Sequence, residues 1–240
     1  LPRKRSKTLN YLTACGRIVR HGTMGIAHIG GADMLELNGF YNMDCMEGMK
    51  QFPDKYFELA IVDPPYGIGA SRGGNGSRSK KYDRSNKNAW DDKPPDGLYW
   101  NELFRVSQNQ IIWGMNYYPL PPCKHFIVWN KKQPDGVTFA QAELAWTSFA
   151  GTSKIVSLSS NGQKVRIHPT QKPVALYEWL LQHYAKPGDK ILDTHAGSAS
   201  SLIACYQMGF PYVGFEIDPD YYKAASERLD AAKAQQSLFR

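Results

Sequence analysis

Short apolar runs, each closed by an acid or a turn-forming residue, alternate along this chain with amphipathic stretches of helical period. Leu59-Ala60-Ile61-Val62, Gln110 to Gly114, Phe126 to Asn130, Lys190 to Asp193 and Tyr212 to Asp218 are such runs. They read as strands buried on both faces, the habit of a parallel sheet covered by helices. Glu143-Leu144-Ala145-Trp146 predicts an edge strand, and Gly39 to Asp44 a shorter strand ending in an acid. Helical period marks Met46 to Phe52, Val174 to Tyr184, and a stretch through Leu202, Ile203, Ala204 and Met208 that stops at Gly209. Asp218-Pro219 supplies a cap and a first-turn Pro for a last helix through Tyr222, Ala225 and Leu229, which makes Asp218 a cap rather than a ligand. Trp113, Trp129 and Trp146 lie in strand-like runs and are assigned to the core.

With 240 residues, the chain has room for one α/β domain, 1–240, with a substantial core. Cys15, Cys45, Cys123 and Cys205 lie far apart without metal-type spacing, so no metal site is expected and the thiols are read as reduced, in a cytoplasmic protein. No apolar run is long enough to span a membrane and no signal peptide is visible, although the first residue is not Met. A net charge of +7 suits a polyanionic partner. Part of that charge is concentrated. Between about 68 and 93, Arg72, Arg78, Lys80, Lys81, Arg84 and Lys87 sit among Gly73, Gly74, Asn75 and Gly76 with almost no aliphatic residue. Such a stretch cannot bury enough apolar area to order itself, so a mobile loop that becomes structured on a phosphate backbone is expected.

The chemistry is concentrated in Asp63-Pro64-Pro65-Tyr66, which closes the apolar run Leu59 to Val62. An amino group on a flat ring offers two N–H donors, and the Asp63 carboxylate and the Pro64 carbonyl can accept both. Pro65 stiffens the turn, and Tyr66 offers a stacking face. The tetrapeptide resembles the catalytic motif of the S-adenosylmethionine-dependent amino-methyltransferases of DNA, which methylate N6 of adenine or N4 of cytosine. In that family the Asp-first form goes with adenine.

Lys190 to Ser200 reads as strand, tight turn and helix start, and resembles the family's cofactor loop Asp-Pro-Phe-x-Gly-Ser-Gly-Thr. Thr194, His195, Ala199 and Ser200 depart from that pattern. The resemblance puts S-adenosylmethionine against Asp193, His195, Ala196, Gly197 and Ser198. Glu216 ends the next strand about twenty residues beyond the glycine turn, the spacing at which an acid binds ribose hydroxyls in a doubly wound fold. His168-Pro169-Thr170-Gln171-Lys172-Pro173 is similar to the family's segment whose Thr and Lys hold the methionine carboxylate. A Lys near a helix start is disfavoured by the helix dipole, which agrees with a bound carboxylate at Lys172. Asp44 matches the acid that binds the adenine of the cofactor, and it equally suits a helix cap.

The tetrapeptide precedes the cofactor loop, the circularly permuted order of the β group of this family. That resemblance implies a Rossmann-like methyltransferase fold, a mostly parallel central sheet with helices on both faces. It places a short target-recognition insertion at about 147–167 and makes double-stranded DNA the partner, bound by Arg72, Arg78, Lys80, Lys81 and Arg84 with help from the N-terminal Arg3, Lys4, Arg5 and Lys7. It also implies a bacterial cell as the setting, host or phage encoded; a homodimer and a cognate restriction endonuclease are compatible with it. Three other readings stay open: cytosine N4 methylation, another acceptor such as an RNA base or a glutamine side chain, and a catalytically silent nucleic-acid-binding module.

Overall fold

The computed structural model describes residues 34–69, 91, 93–136, 140–159 and 166–237. The basic residues from Arg72 to Lys87 and those at the N-terminus lie outside them. Fourteen of the described stretches are regular: β1 Gly39–Asn42, α1 Cys45–Met49, β2 Phe57–Val62, α2 Gly97–Val106, β3 Ser107–Trp113, a 3-10 turn Met115–Tyr117, β4 Phe126–Asn130, β5 Ala142–Thr147, β6 Lys154–Ser157, α3 Val174–Tyr184, β7 Ile191–Asp193, α4 Ser200–Met208, β8 Tyr212–Glu216 and α5 Pro219–Ser237.

The strands form one sheet in the order β1-β8-β7-β2-β3-β5-β4-β6. From β1 to β3 every neighbour is parallel, as the uninterrupted apolar runs require. Successive side chains of each strand feed two cores. Leu59, Ile61, Ile111, Trp113 and Ile191 meet α3, α4 and α5 on one face. Ala60, Val62, Ile112, Leu192 and Val213 meet α1 and α2 on the other. Each fully buried aliphatic side chain contributes about 1.5–3 kcal/mol, so two filled faces outweigh the poor intrinsic helix propensity of α1. Close approach is needed at Gly214, where a Cβ would stand 2.6 Å from Leu202 of α4.

Two expectations need correction, and one element was not foreseen. The strand at 143–146 is not at an edge: β5 runs between β3 and β4, antiparallel to both. Its polar start suggested an edge, but Ala145, Trp146 and Thr147 are buried, and the polar start is polar for a reason given below. The helix expected over 46–52 closes earlier, at Met49, with Phe52 turned into the core beyond it. Helix α2 was missed because the polar, Pro-containing stretch before it hides its start; Asp96 caps it by accepting the amides of Leu98 and Tyr99 at 2.9 and 3.1 Å. Part of the expected 147–167 insertion is itself sheet, since β6 pairs in parallel with β4, and residues 160–165 lie outside the described ones. Among the described residues no helix is long and apolar enough to cross a membrane.

Candidate active site

Strand order reverses between β7 and β2. From β7 the chain crosses through α4 to β8 on one side, and from β2 through α2 to β3 on the other. Loops leaving neighbouring carboxyl ends in opposite directions open a crevice, the usual ligand position of such a sheet. Asp63 follows β2 and Asp193 ends β7. Glu216 ends β8 and Asp44 follows β1 on the same edge of the sheet. Because β5 runs antiparallel, its start, with Glu143, arrives at that edge too.

On the β2 side, Asp63 accepts the Tyr66 hydroxyl at 2.7 Å through Oδ1 and forms an ion pair with Lys172 through Oδ2. Lys172 Nζ also stands 3.0 Å from Glu143 Oε2, an ion contact without hydrogen-bond alignment, and Glu143 Oε1 pairs with Lys131 at 2.5 Å. The Lys172 side chain is 2% exposed and Asp63 15%. Burial raises the Asp63 carboxyl above its ordinary range, and Lys172 opposes the rise while Glu143 adds to it. Burial alone would lower the Lys172 ammonium, but the two carboxylates outweigh it and the net change is upward. Glu143 is held below its usual value, since Lys172 and Lys131 outweigh burial.

The Tyr118 hydroxyl donates to the Pro64 carbonyl at 2.6 Å, which fixes that oxygen and leaves it a second lone pair. Tyr66 stacks on Tyr117 with ring centroids 4.7 Å apart and planes 15° apart. One face of the expected stacking ring thus already carries a neighbour, itself 42% exposed. Gly114, at φ 79°, makes room: a Cβ there would lie 2.8 Å from Tyr66 Cδ1.

Opposite, the 193–199 turn is braced from both strands. Asp193 accepts the His195 amide at 3.0 Å and the Ser201 hydroxyl. Glu216 accepts the Gly197 amide at 2.9 Å through Oε2 and the Asp218 amide at 2.9 Å through Oε1. One lone pair on each oxygen remains for a ribose hydroxyl. Gly197 and Ala199 both take left-handed backbone, φ 50° and 58°; for Ala199, where the family motif has Gly, that conformation is strained. His195 shares the Thr194 hydroxyl with Tyr99 at 2.9 and 2.7 Å, and burial lowers its imidazole to about 4. Ala196 and Ser198 are buried in the turn, and the Ser198 hydroxyl meets that of Ser200 at 3.1 Å.

The 168–172 segment lies over this turn, with the His168 ring 3.7 Å from where a Gly197 Cβ would stand. Thr170 is exposed and its hydroxyl meets His168 Nδ1 at 3.0 Å. Lys172, expected on a cofactor carboxylate, is engaged by Asp63 and Glu143. Asp44 caps α1 by accepting the Met46 amide at 2.8 Å, the second of the two roles its position suggested. Asp218 is a cap as expected, accepting the amides of Asp220 and Tyr221 at 2.9 and 3.1 Å. Sequence reasoning missed Glu143, Lys131, Tyr117, Tyr118, Tyr99 and Arg228, whose Nη1 donates to the Ser198 carbonyl at 2.5 Å. The one signal available for Glu143 was a lone acid opening an otherwise apolar strand. It also missed Asp91, which fastens the two described ends of the basic stretch: its carboxylate accepts the Gly67 amide at 2.9 Å and its carbonyl the Gly69 amide at 3.1 Å.

Residues 128–227, from β4 into α5, match the family model of N6/N4 methyltransferases described as DNA methylase. A putative methylase of Escherichia coli K12, YubD, is 24% identical over 221 residues, covering 82% of this chain and 92% of the relative. The DNA adenine methyltransferase YhdJ of the same organism is 24% identical over 240 residues, covering 79% and 81%. Among solved structures, an M1.HpyAVI complex with S-adenosylmethionine superposes with a TM-score of 0.52 at 19% identity, over 79% of this chain and 98% of that one. The cytosine-N4-specific PvuII DNA methyltransferase gives 0.51 at 12%, over 80% and 90%. These likenesses carry the fold. Glu216 with its open acceptor positions, beside a turn of small residues at the crevice, fits the ribose hydroxyls of S-adenosylmethionine. Over residues 128–227, and in its motif and sheet order, the chain is similar to the N6/N4 DNA methylases, amino-methyltransferases that use S-adenosylmethionine.

Proposed function

We propose that this chain methylates N6 of adenine in double-stranded DNA, acting on a base turned out of the helix. The observation that carries the reading is the Asp63 carboxylate, the first residue of an Asp-Pro-Pro-Tyr turn, facing the crevice between β2 and β7 with its charge balanced by buried Lys172. The N4 lone pair of cytosine and the N6 lone pair of adenine are both delocalised into the ring, so either amine is a poor nucleophile until acceptors draw its hydrogens aside. Asp63 and the Pro64 carbonyl, held by Tyr118, are the acceptors. Tyr66 orients Asp63 through its hydroxyl and backs the base with its ring. When bound, S-adenosylmethionine supplies a methyl on a sulfonium; Glu216, Asp44, Thr170, Asp193, His195, Ala196, Gly197 and Ser198 are the residues proposed to hold it.

Extrusion of a base costs on the order of a few kcal/mol, offset by stacking and phosphate contacts. Those contacts are assigned to Arg72, Arg78, Lys80, Lys81 and Arg84, in a stretch whose two ends Asp91 ties to the catalytic loop. We read the whole as one methyltransferase domain in which this stretch and residues 147–167 share target recognition. The Asp-first turn and the adenine specificity named for YhdJ favour adenine over cytosine. The test is transfer of tritiated methyl to a mixed duplex library, followed by nucleoside mass spectrometry. N6-methyladenine is expected; N4-methylcytosine overturns the base assignment, and binding of DNA without any methyl incorporation supports the silent module instead.

A further inference from the structure

Lys172 has two carboxylate partners. Its ammonium contacts Asp63 Oδ2 on one side and stands 3.0 Å from Glu143 Oε2 on the other, while Glu143 Oε1 pairs with Lys131 at 2.5 Å. The result is a row of alternating charge, Asp63, Lys172, Glu143, Lys131, drawn from the catalytic loop, the segment before α3, β5 and the residue after β4. Lys172 is 2% exposed, and the rings of Trp113 and Tyr66 lie 5.4 and 5.9 Å from its nitrogen, so it has no ready route to water.

This arrangement bears on how Asp63 can work at all. A carboxylate that must accept a hydrogen from a neutral aromatic amine competes with its own lysine, because an ammonium is the stronger donor. With Asp63 as sole partner, Lys172 would have to remain on it or be stranded unpaired in a buried site, a strongly unfavourable state. A second carboxylate removes that conflict. We propose that Glu143 is a positioning residue that shares Lys172 with Asp63 and retains the ammonium when the target amine engages Asp63, with Lys131 setting how strongly Glu143 pulls. The inference rests on the reading of Asp63 as the amine acceptor.

The groups facing Asp63 are Tyr66 of its own loop, Lys172, Glu143 of β5, Tyr118 beyond β3, Tyr99 of α2, Tyr177 of α3 and Asp193 of β7. Burial holds the four tyrosine hydroxyls well above their ordinary range, so they stay neutral across the working pH. Glu143→Gln removes a negative neighbour and leaves Lys172 to Asp63 alone, so Asp63 loses its proton at lower pH and becomes a weaker acceptor. Lys131→Met frees Glu143 to draw Lys172 away, so Asp63 titrates at higher pH. General damage to the fold would not move the two variants in opposite directions.

The experiment measures methyl transfer by the full chain against pH, in single turnover with saturating S-adenosylmethionine. The acid limb is expected to move down by about one pH unit in Glu143→Gln, with a plateau rate lower by ~10-fold, and up in Lys131→Met. Glu143→Asp, which keeps the charge, should restore the limb. In parallel, the Asp63 carboxyl carbon, assigned with Asp63→Asn, is titrated by NMR in the same proteins without DNA. Opposite displacements in the two variants support the proposal; a limb and a carboxyl titration that stay put in Glu143→Gln, or move the same way in both, overturn it. If Glu143→Gln does not fold, the direction in Lys131→Met decides alone. A parent that transfers no methyl group refutes the proposed function, and the carboxyl titration still judges the sharing of Lys172.

Discussion

Asp193 is the carboxylate whose environment makes the sharpest quantitative demand. It ends β7 at 2% exposure and is met by two neutral donors, the His195 amide at 3.0 Å and the Ser201 hydroxyl. Burial pushes its carboxyl up to about 7 from the ordinary 3.8; the two donors oppose this, and the Asp63 and Glu216 carboxylates add to it. At about 1.4 kcal/mol per pH unit, that gap is worth at most ~4 kcal/mol. Its folded value lies above its unfolded one, so the stabilising contribution is complete below 3.8 and is lost as pH rises through about 7. The parent's raw stability profile is a poor readout. Burial lowers His168 and His195 to about 4 from 6.5, and their contribution has the opposite sense: present above 6.5 and lost as pH falls toward 4. The measurement is therefore the difference between the parent and Asp193→Asn, in which the histidine contributions cancel and the amide oxygen can still accept from His195. Urea unfolding at pH 5, 6, 7 and 8 should show the variant gaining on the parent by ~1–3 kcal/mol across that range, the part of the full gap lying above pH 5 after allowance for local relaxation. A difference that stays flat from pH 5 to 8 refutes the reasoning, because it would mean that Asp193 titrates normally in the folded chain.

Asp63→Ala should lower methyl transfer by at least ~100-fold, the scale of one preorganised electrostatic contact, while calorimetry finds cofactor affinity nearly unchanged; retained transfer would end the assignment of Asp63 as acceptor. Glu216→Ala should weaken S-adenosylmethionine binding by roughly 1.5–3 kcal/mol, and an unchanged dissociation constant would reduce Glu216 to a brace for the Gly197 amide. Gly114→Ala places a methyl 2.8 Å from Tyr66 Cδ1 on a backbone at φ 79°, so it should cost about 1–2 kcal/mol in thermal unfolding and slow methyl transfer together; loss of stability with full activity would show that the Tyr66 ring yields without consequence.

Most of the sheet could be read from the sequence because its central strands are buried on both faces and therefore appear as continuous apolar runs. Leu59 to Val62 lies between β3 and β7, and Ile191 with Leu192 lies between β2 and β8. Strand β5 misled for the same reason in reverse. Its first residues are partly exposed or polar although it lies inside the sheet, and periodicity records exposure, not neighbours. Helix α2 carries its apolar residues at Tyr99, Trp100, Leu103 and Val106, a helical spacing that follows Pro94 and Pro95 so closely that a turn is the more natural reading.

The site divides along the same line. Asp63, Asp193 and Glu216 could be named because each ends a strand or directly follows one, and a parallel sheet sends all such ends to one edge. Glu143 could not, because it opens its strand. Only the reversal of β5 between β3 and β4 carries that opening residue to the edge where the others end. The polar start that made β5 look like an edge strand is thus the part of it that reaches Lys172. Lys172 shows the complementary limit. Its place beside Pro173 suggested a ligand carboxylate near a helix start, and chemistry of that kind is what it meets, a pair of carboxylates in a buried setting. Which molecule supplies those carboxylates depends on contacts across 109 residues of chain to Asp63, and only the register of the whole sheet decides it.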